Sequence, residues 1–302
     1  MMTQIQGIIT AMQTAMHPDG TINEAVIRRQ IDHQIANGVD AVFCLGTNGE
    51  FYALNADEKI RVMEIYKDQA AGRVPVYAGT GCVTTDEAVY LSKKAQEIGV
   101  DVLSVITPYF AAITQDELYA HYAAVAEAVD LPIVLYNIPI RTGAAISPAL
   151  VRKLALAYPN IRGVKDSSGN FNNILQYIAQ TKDLDFSVLS GNDALILWTL
   201  LAGGKGGITA VANILPSVLS GIYQNYLKGD IDAAKKCQLA IDPIRDLFRY
   251  GSNIPILKYA ADYMGMPVGG CRKPFGMLTE EVKAEIRECV DTYYAEYKIQ
   301  EE

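Results

Sequence analysis

The sequence predicts an α/β fold, a (β/α)8 TIM barrel with a C-terminal helical extension. Three observations predict it. Eight short, β-branched apolar runs alternate with amphipathic stretches from the N-terminus to about residue 228. The runs are apolar throughout, as strands are when both faces of a parallel sheet are covered. The first run leads into Met12-Gln13-Thr14-Ala15-Met16, where a doubly wound dinucleotide sheet would carry a glycine-rich turn.

The strands are expected at Ile5–Ala11, Ala41–Leu45, Pro75–Ala78, Val102–Ile106, Ile133–Tyr136, Ile161–Val164, Ser187–Ser190 and Gly207–Ala210. Helices are expected at 23–37, 55–71, 84–98, 114–129, 147–157, 170–181, 192–202 and 215–228. Asn55 and Glu58, Thr84 and Glu87, and Thr114 and Glu117 have the spacing of capping boxes, in which side chain and backbone satisfy each other's orphan groups. Ser147-Pro148 sets a capping residue before a proline at the first helical position. Residues 231–249, 253–264 and 279–298 read as three further helices. No Ser/Gly-rich linker sets them apart. Residues 1–228 therefore read as the catalytic barrel, and 229–302 as an extension packed on it.

The chain has 302 residues and a net charge of -8, with half its residues hydrophobic and a fifth charged. An acidic balance argues against a nucleic-acid partner, which needs a basic stripe. The opening MMTQIQGIIT lacks a signal peptide's basic flank and long apolar run, and no apolar stretch is long enough for a bilayer. Cys44, Cys82, Cys237, Cys271 and Cys289 are odd in number and form no C-x-x-C pair, a pattern of reduced thiols in a cytoplasmic protein. His17, His33 and His121 have no zinc-binding spacing, and Gly203-Gly204-Lys205-Gly206-Gly207 lacks the pattern of a nucleotide P-loop. Neither a metal nor an organic cofactor is expected.

In a barrel, functional groups collect where strands end at the C-terminal face. Lys165 closes Ile161-Arg162-Gly163-Val164-Lys165. Alternation along the strand would point it inward with Ile161 and Gly163. An ammonium removed from water loses stability relative to the amine, and the amine attacks carbonyls. The other reading is a structural lysine paired with a carboxylate such as Asp166. Tyr136 ends the neighbouring strand ~4.8 Å away, within reach of the same substrate, where a phenol can shuttle protons or merely pack. Gly46-Thr47-Asn48-Gly49-Glu50 suits an anion nest, or an ordinary turn. Arg141 offers a planar fork to a substrate carboxylate, unless it is only a solvated loop residue.

Together these motifs resemble the dihydrodipicolinate synthase/N-acetylneuraminate lyase family of pyruvate-dependent class I aldolases. The resemblance runs from Gly7 to the final helices. It is sharpest at G-T-N-G-E (46–50), Y-N-I-P-I-R-T-G (136–143) and G-V-K-D-S-S-G (163–169). It implies that Lys165 forms an imine with pyruvate, that Tyr136 and Thr47 relay protons, and that Thr47 and Asn48 hold the pyruvate carboxylate. Gly191 and Ile208 match pocket-lining positions. It also implies a homo-oligomer, a tetramer, with small-molecule substrates and no nucleic-acid or membrane partner. Two departures stand out. Asn48 replaces a Thr or Ser, and Phe110 stands where many relatives place a second relay tyrosine across a subunit interface. Tyr109 is adjacent, but alternation would turn it elsewhere.

The substrate signals divide. Arg141-Thr142 resembles the synthase branch, which condenses pyruvate with a carboxylate-bearing aldehyde. Cys271-Arg272-Lys273-Pro274-Phe275-Gly276 resembles the branch that cleaves N-acetylneuraminate or 2-keto-3-deoxy sugar acids. That segment lies in the extension, so it is read as ancestry and not as pocket. The condensation is the main expectation, aldol cleavage the alternative, and a non-catalytic ligand-binding barrel the minority one.

Overall fold

The computed structural model describes residues 3–299. Residues 1–2 and 300–302, the outer ends of the expected barrel and extension, lie outside the described residues. Eight parallel strands close into a barrel in sequence order: β1 (Gly7–Ala11), β2 (Ala41–Cys44), β3 (Val76–Gly79), β4 (Val102–Ile106), β5 (Ile133–Asn137), β6 (Ile161–Asp166), β7 (Ser187–Ser190) and β8 (Gly206–Thr209). Closure is made by β1 pairing with β8, Ile9 beside Ile208. The helices of the barrel are α1 (Glu24–Ala36), α2 (Ala56–Ala70), α3 (Thr85–Ile98), α4 (Gln115–Ala128), α5 (Pro139–Thr142), α6 (Pro148–Ala157), α7 (Phe171–Thr181), α8 (Ile196–Leu201) and α9 (Pro216–Leu227). The extension follows with α10 (Ile231–Ala240), α11 (Asp242–Asp246), α12 (Asn253–Tyr263) and α13 (Glu280–Tyr293). No helix of the described residues is long and apolar enough to cross a membrane.

Local chemistry explains most boundaries. Asn55 and Thr114 complete the expected capping boxes with Glu58 and Glu117. Thr84 caps the Glu87 N–H, but the reciprocal half is missing. Glu87 turns instead towards the buried ammonium of Lys59, 3.6 Å away. The single helix expected over 231–249 is broken: α10 stops at Ala240, and α11 restarts with Pro243 in its first turn. Proline has no N–H to give the preceding turn and its ring crowds that turn's carbonyl. The short α5 was not expected from the sequence; Pro139 opens it and Gly143, at φ 73°, closes it.

Alternating side chains divide the core into two layers. Ile5, Ile9, Phe43, Tyr77, Val134, Leu189 and Ile208 fill the barrel interior. Ile8, Val42, Ile133, Leu135 and Val164 pack outward under the helices. One strand departs from strict alternation. Ile133 pairs with Ile161, yet Val134 pairs with Gly163, so Arg162 is an extra residue in β6. Ile161 therefore packs in the outer layer, not inward as expected. Gly163 and Lys165, beyond the bulge, take the inward phase.

The extension is tied to the barrel by a buried ion pair. Glu50, just after β2, meets Lys258 of α12 at 2.6 Å, and both side chains are almost wholly shielded from water. The second Glu50 oxygen accepts the Arg272 N–H at 2.9 Å, and Lys258 also donates to the Gly270 carbonyl. Glu50 sits at φ 55°, a left-handed backbone that is uncommon outside glycine. Outside this pair, Arg272 grips Glu58 with both ends of its fork.

Breaking a buried pair strands a charge in a dry interior, at a cost of about 3–5 kcal/mol. Lys258→Met should therefore lower unfolding free energy by about that amount in urea melts, and Glu50→Gln/Lys258→Met should recover most of it. A double variant no more stable than the single one would show that Lys258 contributes by packing alone.

Candidate active site

The β5–β6 register sets Tyr136 beside Lys165 and Asn137 beside Asp166. Lys165 is 4 % exposed. Its Nζ lies 3.9 Å from the centre of the Tyr136 ring and 5.5 Å from that of Phe43, so the amine stands on an aromatic floor at the top of the barrel interior. Asp166 points away from it. Its carboxylate is occupied by Asn137 Nδ2 (2.6 Å), Ser168 Oγ (2.7 Å) and Asn173 Nδ2 (3.1 Å). The structural alternative for Lys165, an ion pair with Asp166, is not what the side chains form.

Tyr136 and Thr47 share a hydrogen bond of 3.2 Å between hydroxyls. Burial alone would push the Tyr136 phenol up. The Lys165 charge and bonds to Thr47, Ser167 and Lys165 outweigh it and hold the phenol below its ordinary range. Ser167 also donates to the Gly191 carbonyl at 3.2 Å. Gly191 is demanded by space: a Cβ there would fall 2.0 Å from Ser167 Oγ and 2.9 Å from Lys165 Cε. Gly46 is demanded likewise, because its Cβ would meet the Phe43 ring at 2.9 Å.

Thr47–Gly49 form one 3-10 turn at the cavity edge. The Asn48 amide is largely used by the protein: its nitrogen donates to the Ala11 carbonyl at 3.3 Å, and its oxygen accepts from Asn253 at 3.2 Å. One amide N–H remains by inventory. Asn253 also accepts from Arg141 Nη2 at 3.2 Å. A residue of the extension thus links Asn48 to Arg141. Thr47, Asn48, Tyr136, Arg141, Lys165, Gly191 and Ile208 all border one cavity of about 260 Å³.

Sequence reasoning missed Ser167, Asn192, Asp193, Arg245, Phe248 and Asn253, which border the same cavity. Ser167 stood in a quoted motif without a role; the rest carried no local signal. Asp193 accepts the N–H groups of Ala210 and Val211 at 3.2 and 3.0 Å. Burial pushes its carboxyl up, against the pull of Thr209, those N–H groups and Arg245.

A second cavity of about 350 Å³ adjoins the first and shares Thr47 and Arg141 with it. Cys271, Phe275 and Gly276 line it, so the segment read as ancestry reaches the mouth of the site. Tyr109 lines it too, set edge-on to Phe51 at 6.0 Å. Phe110 is fully exposed at φ 81°.

The chain that carries this arrangement has many relatives. The chain matches the Dihydrodipicolinate synthetase family over residues 4–293. It is 37% identical over 287 residues to the 4-hydroxy-tetrahydrodipicolinate synthase of Methylococcus capsulatus, covering 95% of this chain and 98% of the relative. The crystal structure of dihydrodipicolinate synthase from Aquifex aeolicus superposes with a TM-score of 0.93 at 33% identity, covering 98% of this chain and all of that one. YagE, a prophage protein of the dihydrodipicolinic acid synthase family from E. coli K12 solved in complex with pyruvate, gives a TM-score of 0.93 at 32% identity, covering 96% and 99%. The chain belongs to the dihydrodipicolinate synthetase family.

The lowered Tyr136 phenol is open to direct measurement. Ultraviolet titration should show one tyrosine ionising below the ordinary ~10, absent in Tyr136→Phe and shifted upward in Lys165→Met. A signal that ignores the lysine would mean that the Lys165 charge is not its cause.

Proposed function

We propose that this member of the family is a class I lyase that condenses pyruvate with a carboxylate-bearing aldehyde through a Schiff base on Lys165. The observation that carries the reading is the Lys165 amine, buried, without a carboxylate partner among the described residues and set against Tyr136 and Thr47. The amine attacks the pyruvate ketone to give a carbinolamine, which loses water to leave a protonated imine. Loss of a methyl proton gives the enamine, whose carbon attacks the aldehyde while the aldehyde oxygen takes up a proton. Water then releases the product and restores the amine. The pyruvate carboxylate rests on Thr47 and Asn48, beside Gly191 and Ile208. Arg141 receives the carboxylate of the aldehyde. The Tyr136–Thr47 pair moves the protons, helped by a phenol held below its ordinary range by the Lys165 charge and its hydrogen bonds. The name of the Methylococcus relative supports this choice over aldol cleavage, and the pyruvate complex of YagE supports pyruvate as a ligand of such a site.

The protein works as a homo-oligomer in this reading. Phe110, wholly exposed in a left-handed backbone, and the exposed Trp198 and Leu201 are apolar groups that a second copy would cover. Two such contacts would build a tetramer. The five cysteines are all free thiols, in keeping with a cytoplasmic setting.

Pyruvate with borohydride should add one reduced pyruvate per chain at Lys165, read by peptide mass spectrometry. Label on another lysine, or label persisting in Lys165→Ala, would remove the mechanism. Arg141→Ala should raise KM for an acid aldehyde roughly ten- to a hundredfold, as loss of a charge-assisted contact does, while pyruvate capture stays nearly unchanged. Equal damage to both steps would instead make Arg141 a structural tie.

A further inference from the structure

Arg141 is not the only guanidinium at the mouth. Arg245, on α11 in the extension, borders the same cavity as Lys165. The two arginines are held alike. Arg141 Nη2 donates to the amide oxygen of Asn253 at 3.2 Å, and Arg245 Nη2 to the amide oxygen of Asn192 at 3.0 Å. Each fork is thus anchored through one nitrogen to a neutral partner, which orients the side chain, while Arg245 also acts on the buried Asp193 carboxyl. The nearest carboxylate to Arg245 is Asp242 on its own helix, at 3.9 Å and half exposed. Among the residues bordering this cavity the acid is Asp193, whose oxygens are engaged by the Ala210 and Val211 N–H groups. Two guanidinium ions that do not deprotonate therefore face a small cavity opposite one occupied carboxylate.

A purely structural role for Arg245 accounts poorly for this placement. Asn192 is already held, its side-chain oxygen accepting the Ala194 N–H at 3.1 Å. A fork fixed by one nitrogen keeps other donors for a ligand, and planar forks match carboxylate and phosphate oxygens in two-point contacts. Cations lining a low-dielectric cleft also concentrate anions in it.

We infer that Arg245 forms a second anion subsite in the mouth, so that the preferred acceptor carries two anionic groups, one for Arg141 and one, carboxylate or phosphate, for Arg245. This rests on the Schiff-base reading, in which pyruvate's own carboxylate is already held at Thr47 and Asn48. The same charge disfavours an acceptor with an ammonium at that end.

Calorimetric titration tests the subsite without turnover. The probes are glutarate, butyrate, 4-aminobutyrate and 4-phosphonobutyrate, which share a carboxylate and differ at the far end. They are titrated into the chain bearing reduced pyruvate on Lys165, and into the unmodified chain. Glutarate should bind at least about tenfold tighter than butyrate, as a charge-assisted contact implies, and 4-aminobutyrate more weakly than butyrate. Arg245→Gln should erase the glutarate advantage while leaving butyrate within about twofold, and Arg245→Lys should restore part of it. Tighter binding of 4-phosphonobutyrate than glutarate would assign the subsite to phosphate, and the reverse to carboxylate. Equal binding of glutarate and butyrate to the native chain, or equal weakening of both by Arg245→Gln, would overturn the subsite. Absence of the reduced adduct would instead strike the Schiff-base reading, and the titration of the unmodified chain would still decide on Arg245.

Discussion

One extra residue in β6 decides which way Lys165 points. Ile161 packs outward with Ile133; strict alternation from there would send Gly163 and Lys165 outward as well, under the helices. Arg162 interrupts the count, and everything beyond it changes face. Lys165 then rises inside the barrel beside Tyr136, and Asp166 turns to the outer side, where Asn137, Ser168 and Asn173 hold it. The bulge thus decides which of two adjacent charged residues enters the barrel. It supplies an amine with aromatic neighbours and a carboxylate with polar ones.

The charges around the mouth are sorted by what compensates them. Glu50 and Lys258 neutralise each other in the dry interior next to the Thr47–Gly49 turn. Asp193 spends its charge on backbone N–H groups of the loop after β8. Lys165, Arg141 and Arg245 border the cavity, Lys165 against aromatic rings and the two arginines on amide oxygens, with Asp242 3.9 Å from Arg245. Anionic ligands therefore complete an electrostatic balance that the folded chain leaves open. That balance agrees with pyruvate as one ligand and a charged aldehyde as the other.

The parts of this architecture that were legible in the sequence are those set by near neighbours. Apolar runs with capping residues between them placed the eight strands and the helices of the barrel within a few residues, because a strand covered on both faces and a capped helix leave local traces. The alignment of Tyr136 with Lys165 could be anticipated because both end adjacent strands. The bulge at Arg162 could not, since an extra strand residue has no distinctive composition and shows only in the partner's register. Asn253 and Arg245 were hidden for another reason. They reach the cavity from helices some 80 or more positions beyond Lys165, and an asparagine or arginine on an amphipathic helix looks like solvated surface until its neighbours are known. Tyr109 and Phe110 face differently, as alternation suggests: the Tyr109 ring lies against Phe51 at the edge of the second cavity, and Phe110 is wholly exposed.

The Glu50–Lys258 pair also imposes an order in time. The turn carrying Thr47 and Asn48 is made early in synthesis, yet the ammonium that neutralises the carboxylate behind it, and the Arg272 N–H that completes its bonding, come from the last sixth of the chain. Until α12 and the segment after it have left the ribosome, Glu50 has no reason to abandon water, and its left-handed backbone has nothing to hold it. The strands can pair as they emerge; the turn at Thr47 and Asn48 can only be set at the end. A barrel still being made therefore lacks the buried pair that fixes this turn until the extension has been added.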